Sequence, residues 1–285
     1  MRHTEPCAWE CSIVYPEVLR GLHQLLGTVY TMKPVADSIA SFSIAGITLW
    51  ACSPEVVVQT TIPPCEFSSH SAKKVVTVVI DWTGVHGFLS NATAMQMYVL
   101  SSTKIRFVFH YGHAITKELV LHVNPYEDMD LLAEMAGTTC LPEHARMVTA
   151  SSPVIRSAVE LLGMCAPGTA LDVVHVNMRT AHAISHVFNE NGLTLTMQSP
   201  LWRKRTYHPA TAEHIRGTSH ECDARAKQLC TVIRNVASLS DSVIIGFRKA
   251  HHDASASFNI FVQSFWGARS GIETHACVAP VEVCE

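Results

Sequence analysis

No apolar run in the sequence approaches the roughly 18 residues that a membrane-spanning helix needs, and the opening MRHTEPCAWECSIVY lacks the basic-then-apolar design of a secretory signal. There is no Gly-rich phosphate loop, no GxSxG elbow and no paired-carboxylate motif that can be placed at a strand end. The usual anchors of nucleotide hydrolysis and hydrolase chemistry are therefore missing. Cysteine pairs are missing too: Cys7, Cys11, Cys52, Cys65, Cys140, Cys165, Cys222, Cys230, Cys277 and Cys284 are scattered, with no CxxC among them. That pattern argues for reduced thiols in a soluble intracellular protein and against a disulfide framework. Charge is scarce: 16% of residues are charged, and 24 acids against 21 bases leave a net charge of -3 at pH 7. A surface coated all over in cations is excluded.

What is there is a chain of 285 residues, 48% apolar and 7% aromatic, long enough for one sizeable core or two smaller ones and too apolar to be mainly disordered. Its charge is segregated. From Leu201 to His252 nine Lys/Arg face four acids, a net +5 that leaves -8 for the remainder. A basic region inside an acidic molecule suits a protein that holds a polyanion on one face and keeps the rest of its surface off it.

An internal repeat carries the most information. Pro16 to Gly27 read PEVLRGLHQLLG and Ser152 to Gly163 read SPVIRSAVELLG. At a constant offset of 136, Val18 matches Val154, Leu19 matches Ile155, Arg20 matches Arg156, and Leu25, Leu26 and Gly27 match Leu161, Leu162 and Gly163. Each copy has helical periodicity, with apolar stripes Val18/Leu22/Leu25/Leu26/Val29 and Val154/Ala158/Leu161/Leu162/Cys165. Arg20 and Arg156 fall off those stripes, toward solvent. Pro16 and Pro153 suit helix starts, and Gly27 and Gly163 suit helix ends.

A second helix is expected in each half, over Trp82 to Asn91 after the strand-like VVTVVI, and over Cys222 to Ala237. Between the helices, β-branched, aromatic or alternating runs predict strands at Ile39–Cys52, Val56–Ile62, Met95–Leu100, Ile105–Tyr111, Ile115–Val123, Leu171–Val176, Leu193–Met197, Val243–Phe247 and Phe258–Phe265. Strands outnumber helices about two to one, which predicts an α+β protein whose antiparallel sheets carry helices on one face. The acidic stretch 124–143, without Lys or Arg, reads as a linker between halves 1–123 and 144–285.

Seventeen histidines invite a search for metal or catalytic sites. His182 and His186 have i, i+4 spacing, but AHAISHVF lacks the zincin glutamate and reads as a strand. His251, His252 and Asp253 read as a solvated turn. No metal site, cofactor or catalytic residue is expected; an enzyme would have to rest on scattered Cys and His residues that no spacing supports. What persists is Arg20 and Arg156 at matched positions, joined by Lys227 and Arg234 seven residues apart on one side of a helix. Duplex DNA, read through its phosphates and not its bases, suits such a set.

These features together resemble the sliding DNA clamps, the ring proteins similar to proliferating cell nuclear antigen. The resemblance rests on the opening strand and LLG helix, FSIAGITLWA followed by VVVQTTIPPCEF, the acidic linker, ARMVTASSPVIRSAVELL, and the closing IETHACVAP. Within that family, ELVLHVNPYEDMDLLAEM with CLPEHARMVTASSPVI looks most like the Rad-nine subunit of the heterotrimeric nine-one-one checkpoint clamp, the other two subunits remaining open. The resemblance implies two similar clamp domains with sheets outside and two helices per domain inside. It implies DNA contact through Arg20, His23, Arg156, Arg225, Lys227 and Arg234. Edge-strand pairing with two related subunits would use Ile115, Leu119 and Leu121 on one side and Leu193, Leu195 and Met197 on the other. Partner peptides of repair and checkpoint proteins would dock near Val123, Tyr126, Met129, Val278, Ala279 and Pro280. It further implies a nuclear, non-enzymatic role in DNA-damage signalling and repair, loading by a separate ATPase, and no membrane partner. The alternative is a homo-oligomeric replicative processivity factor. Two departures stand out: Trp82–Asn91 carries no Lys or Arg, and Arg203–His220 is longer than a minimal clamp requires.

Overall fold

The structure, a computed structural model, describes residues 7–30, 37–53, 55–112, 115–139, 146–153, 155–157, 160, 173–179, 192–199, 202–207, 214–216, 220–249, 258–266 and 271–279. The chain divides into two compact units. One comprises Met1–Ser53, Val58–Gly137 and Ala268–Thr274; the other comprises Pro54–Val57, Thr138–Gly267 and His275–Glu285.

The first unit runs β1 (Trp9–Ile13), α1 (Pro16–Leu25), β2 (Asp37–Ser43), β3 (Gly46–Cys52), β4 (Val56–Ile62), β5 (Ser69–Ala72), β6 (Val76–Val79), α2 (Thr83–Leu89), β7 (Ala94–Ser101), β8 (Lys104–Tyr111), β9 (Ile115–His122), β10 (Asn124–Pro125) and α3 (Met129–Thr139). Its strands pair in the orders β5-β1-β7-β8-β9 and β10-β6-β2-β3-β4. Strict alternation builds the first sheet: in β7 and β8 every second residue, Met95, Met97, Val99, Ile105, Phe107 and Phe109, is buried. Trp9 anchors the core beneath, its ring 5.1 Å from Phe42 and its indole N–H donating to the Ser43 carbonyl at 2.9 Å. Because that donor is satisfied, the large ring can be fully buried.

The second unit repeats this wiring. Its elements are β11 (Arg146–Ser151), the helix α4 described at 152–153, 155–157 and 160, β12 (Val173–Arg179), β13 (Gly192–Ser199), β14 (Trp202–Tyr207), β15 (His214–Arg216), β16 (His220–Arg225), α5 (Ala226–Ala237), β17 (Ser242–Lys249), β18 (Phe258–Phe265) and β19 (Glu273–Val278). The pairing orders are β15-β11-β17-β18-β19 and β16-β12-β13-β14. Element for element these are the orders of the first unit, without β10. Duplication therefore extends beyond the twelve-residue motif to the whole topology.

Several expectations are corrected. Ile39–Cys52 is two strands joined by a tight turn, because Gly46 takes a φ of +110° that reverses the chain. The expected linker 124–143 carries β10, paired to β6, and the helix α3, which falls in the first unit as far as Gly137. The Asp128 carboxylate accepts from the Leu131 N–H at 2.9 Å, capping that helix, while Leu132 and Met135 are buried. In the second unit the helix begins at Ala226: residues 220–225, expected to be partly helical, extend in register with β12. His182, His186, His251, His252 and Asp253 lie outside the described residues.

Gly46 offers a test of the hairpin. A Cβ there would sit 2.1 Å from the Ile62 carbonyl oxygen, in a backbone conformation that side chains rarely adopt. Gly46→Ala should lower unfolding stability by about 2 kcal/mol or more, read from the urea midpoint at unchanged slope.

Candidate nucleic-acid interface

The geometry of the interface follows from strand pairing. β1 runs antiparallel to β7, with Ile13 opposite Met95. The helix that leaves β1 therefore starts beside the point where α2 ends and the chain enters β7. In the second unit β11 pairs with β17, Ser151 opposite Ser242, and the Ser152 N–H donates to the Asp241 carbonyl at 2.9 Å. Each unit thus brings its two helices together in the same way and leaves a groove between them.

In the first unit Val18, Leu19, Leu22 and Leu25 are buried, and Glu17, Arg20 and Gln24 are exposed. Pro16 occupies the first turn, where its missing N–H costs nothing. Arg20 donates through Nε to the Pro16 carbonyl at 3.4 Å, leaving its guanidinium face toward solvent. A groove of about 410 Å³ is lined by Arg20, His23 and Gln24 from α1 and by His86, Leu89, Ser90 and Ala92 from the far wall. His23 and His86 stack across it, ring centroids 4.3 Å apart and planes 11° from parallel. Burial, and secondarily His86, push the His23 pKa below its ordinary value of 6.5.

The second unit shows the matching arrangement. Ile155, partner of Leu19, is fully buried and Arg156, partner of Arg20, is exposed. Arg156 lines a groove of about 450 Å³ with Ser152, Ser157 and Glu160, closed on the other side by residues 237–241 at the end of α5. On α5 Leu229, Cys230, Val232, Ile233 and Val236 are buried while Arg234 is exposed.

Of the expected DNA-contacting residues, Arg20, Arg156 and Arg234 are exposed on helices and His23 is half-buried. Lys227 is on α5. Arg225 is not on a helix: it ends β16, paired with Val173. The expected glycine stop is also revised, since Gly27 sits inside a π-helical turn, Leu26–Tyr30, that prolongs α1. Its function is close approach: a Cβ at Gly27 would lie 2.4 Å from His86 Nε2. The stacked ring occupies the space a side chain would fill. His86 was not anticipated as a site residue, because its sequence surroundings carry no charge.

The expected interface strands divide. β9, with Ile115 59% exposed and Leu119 and Leu121 half-buried, is the edge of its sheet. β13, carrying Leu193, Leu195 and Met197, is interior, between β12 and β14. Its backbone groups are already paired, and the sheet's edges are β14 and β16. Of the expected docking residues, Met129 is 53% exposed and Tyr126 half-buried. Val123 and Val278 are buried, which leaves neither side chain free for docking. Ala279 donates its N–H to the Glu55 carbonyl at 2.8 Å, and Pro280 lies outside the described residues. Among the described residues no group of three or more His, Cys, Asp or Glu is placed to hold a metal ion.

The repeated two-sheet, two-helix unit defines the fold class: this is the fold of the sliding clamps. Among solved structures, the PCNA2–PCNA3 complex from Sulfolobus tokodaii matches with a TM-score of 0.69 over 95% of this chain and 98% of that one, at 11% identity. Proliferating cellular nuclear antigen from Entamoeba histolytica matches with a TM-score of 0.65 over 97% of this chain and 100% of that one, at 14% identity. No family model and no curated protein matches the sequence.

The lowered His23 pKa has a sign that can be checked. A histidine favoured in its neutral form contributes stability above the unfolded value of 6.5 that is lost as pH falls through the lower folded value. Denaturant midpoints should therefore drop on acidification from pH about 7.5 to about 5.5. His23→Gln should flatten that drop.

Proposed function

We propose that the chain is a non-enzymatic sliding-clamp subunit that encircles duplex DNA as part of a ring. The observation that carries this is the repetition: two units of one topology each turn an exposed arginine, Arg20 or Arg156, into a groove between their two helices. A ligand that meets the same cationic helix surface in both units has its own repeat, and the phosphate backbone of DNA is such a ligand. The clamp fold supports the reading, and the two clamp structures it resembles bear the name of the proliferating cell nuclear antigen type. Helical cations are few, and Glu17 and Glu160 share the helices of Arg20 and Arg156. Contact is consequently loose and salt-sensitive, as sliding requires.

The finer reading is a subunit of the heterotrimeric checkpoint clamp, of the Rad-nine type, acting in the nucleus as a platform for damage-signalling and repair proteins and loaded by a separate ATPase. Its support is the 124–139 segment, where α3 presents the exposed Met129 and Leu131, together with the sequence likeness of that region. A homo-oligomeric processivity factor is the competing assignment. The mass of the purified chain separates them: a stable homotrimer excludes the checkpoint subunit, whereas a chain that forms a ring only with related subunits excludes the processivity factor.

DNA contact has its own test. Arg20→Glu combined with Arg156→Glu should weaken salt-dependent retention on closed circular DNA and reduce the slope of log affinity against log salt by about 2, at roughly 0.9 per lost phosphate contact. An unchanged slope, in a ring of unchanged mass, contradicts the assignment of these two residues.

A further inference from the structure

The two grooves are alike in construction and unlike in charge, and the difference falls on titratable residues. β7 and β17 are both eight residues long and start 148 positions apart, as do the last residues of α2 and α5, Leu89 and Ala237. At that offset Trp82, Val85 and Leu89 correspond to Cys230, Ile233 and Ala237, and all six are buried. His86 then corresponds to Arg234, while His23 corresponds to Val159 at the offset of 136. One unit therefore carries two fixed cations at these positions, Arg156 and Arg234. The other carries one, Arg20, and a stacked pair of histidines.

We propose that the His23–His86 stack is a proton-gated contact for the phosphodiester backbone of duplex DNA, a role that deepens the clamp reading and rests on it. Both rings line the groove that Arg20 also lines, and among the described residues no carboxylate lines it with them. In the second unit Glu160 and Asp241 are groove residues. A proton taken up between α1 and α2 thus finds no carboxylate among the described residues of the groove wall, and the counter-ion it calls for is an external anion. Glu17 and Arg20 are on the exposed side of α1. Asp81 accepts from the Thr83 N–H ahead of α2. Tyr111 of β8 donates its O–H to the Phe88 carbonyl, Lys117 of β9 lies over the Phe88 ring, and Tyr30 of the π turn is buried.

At neutral pH the pair is stacked with His23 uncharged, since burial and its neighbour hold it below the ordinary imidazole range. Charge on both rings at 4.3 Å would be repulsive, and a phosphate bridging the pair offsets that repulsion. With the planes near-parallel and the centroids 4.3 Å apart, nitrogen lone pairs lying in the two planes do not converge on one point, which disfavours a single metal ion held by both rings. Duplex DNA then contacts the second unit at any pH and the first more tightly as pH falls.

The test measures retention of the 285-residue chain, in the ring it forms alone or with related subunits, on closed circular duplex DNA at about pH 6 and about pH 7.5, across a salt series. The expected result is several-fold tighter binding at the lower pH, with a salt slope steeper by about 0.9 for each phosphate the pair engages. His86→Arg, which puts at this position the residue found in the second unit, should bind at both pH values as the wild type binds at the lower one. His23→Gln with His86→Gln should lose the pH response. In the wild type the imidazole proton signals of His23 should titrate at higher pH once duplex is added. Salt-dependent binding that is the same at both pH values, or a response retained by the glutamine variants, overturns the proton gate and leaves the clamp reading standing. No salt-dependent retention of the assembled ring at either pH overturns both.

Discussion

The candidate interface depends on one backbone arrangement, the antiparallel pairing of each unit's first strand with the strand that follows its second helix. That ladder sets Ile13 against Met95 and Ser151 against Ser242. The start of one helix and the end of the other are thereby forced to the same edge of the sheet. Neither helix could find this position alone: ten residues of α1 and seven of α2 are too short to be stable apart from the surface they cover. Burial of Val18, Leu22, Val85 and Leu89 fixes how each helix is rotated. Rotation in turn decides which residues face the groove.

Sparse charge is a consequence of the same packing. On α5 only Arg234 is exposed among residues 229–237, because the helix is enclosed along most of its girth and a narrow stripe remains for solvent. On α2 the exposed positions are Thr83, Gly84 and Gly87. A surface with so few cations cannot grip a polyanion, since each phosphate contact contributes separately and is weakened by salt. It can still guide one. Weak contacts repeated at equivalent positions let a protein stay on DNA while moving along it, with topology and not affinity preventing escape.

Much of this was legible in the sequence wherever a pattern depended on neighbours a few residues apart. The Pro16–Gly27 and Ser152–Gly163 repeat placed both arginines on solvent faces, and alternation marked β7, β8 and β18 to within a residue. The misreadings have physical causes. The acidic stretch 124–143 looked like a linker because its charge is one-sided, yet Asp128 is a helix cap and Leu132 and Met135 recur at helical spacing. Arg225 looked helical because HECDAR has no β-branched residue; its place in β16 is imposed by β12. The edge status of β13 could not be read locally, since an apolar alternating strand has the same composition with one neighbour or two.

The correspondence of His86 with Arg234 shows where sequence comparison stops and topology takes over. α2 reads TGVHGFL and the last turns of α5 read TVIRNVA, and no alignment of these letters alone would favour one register. The strands supply it, because β7 and β17 hold the same place in their sheets and each helix must end where its strand begins. Gly27 adds the steric condition: only without a side chain there can His86 lie against α1 and stack on His23. A duplicated fold can hold its backbone nearly constant in this way while one copy keeps a permanent charge and the other acquires one that depends on pH. Such a difference is invisible to net charge counted at neutral pH, where both histidines are scored as neutral and only the arginines register.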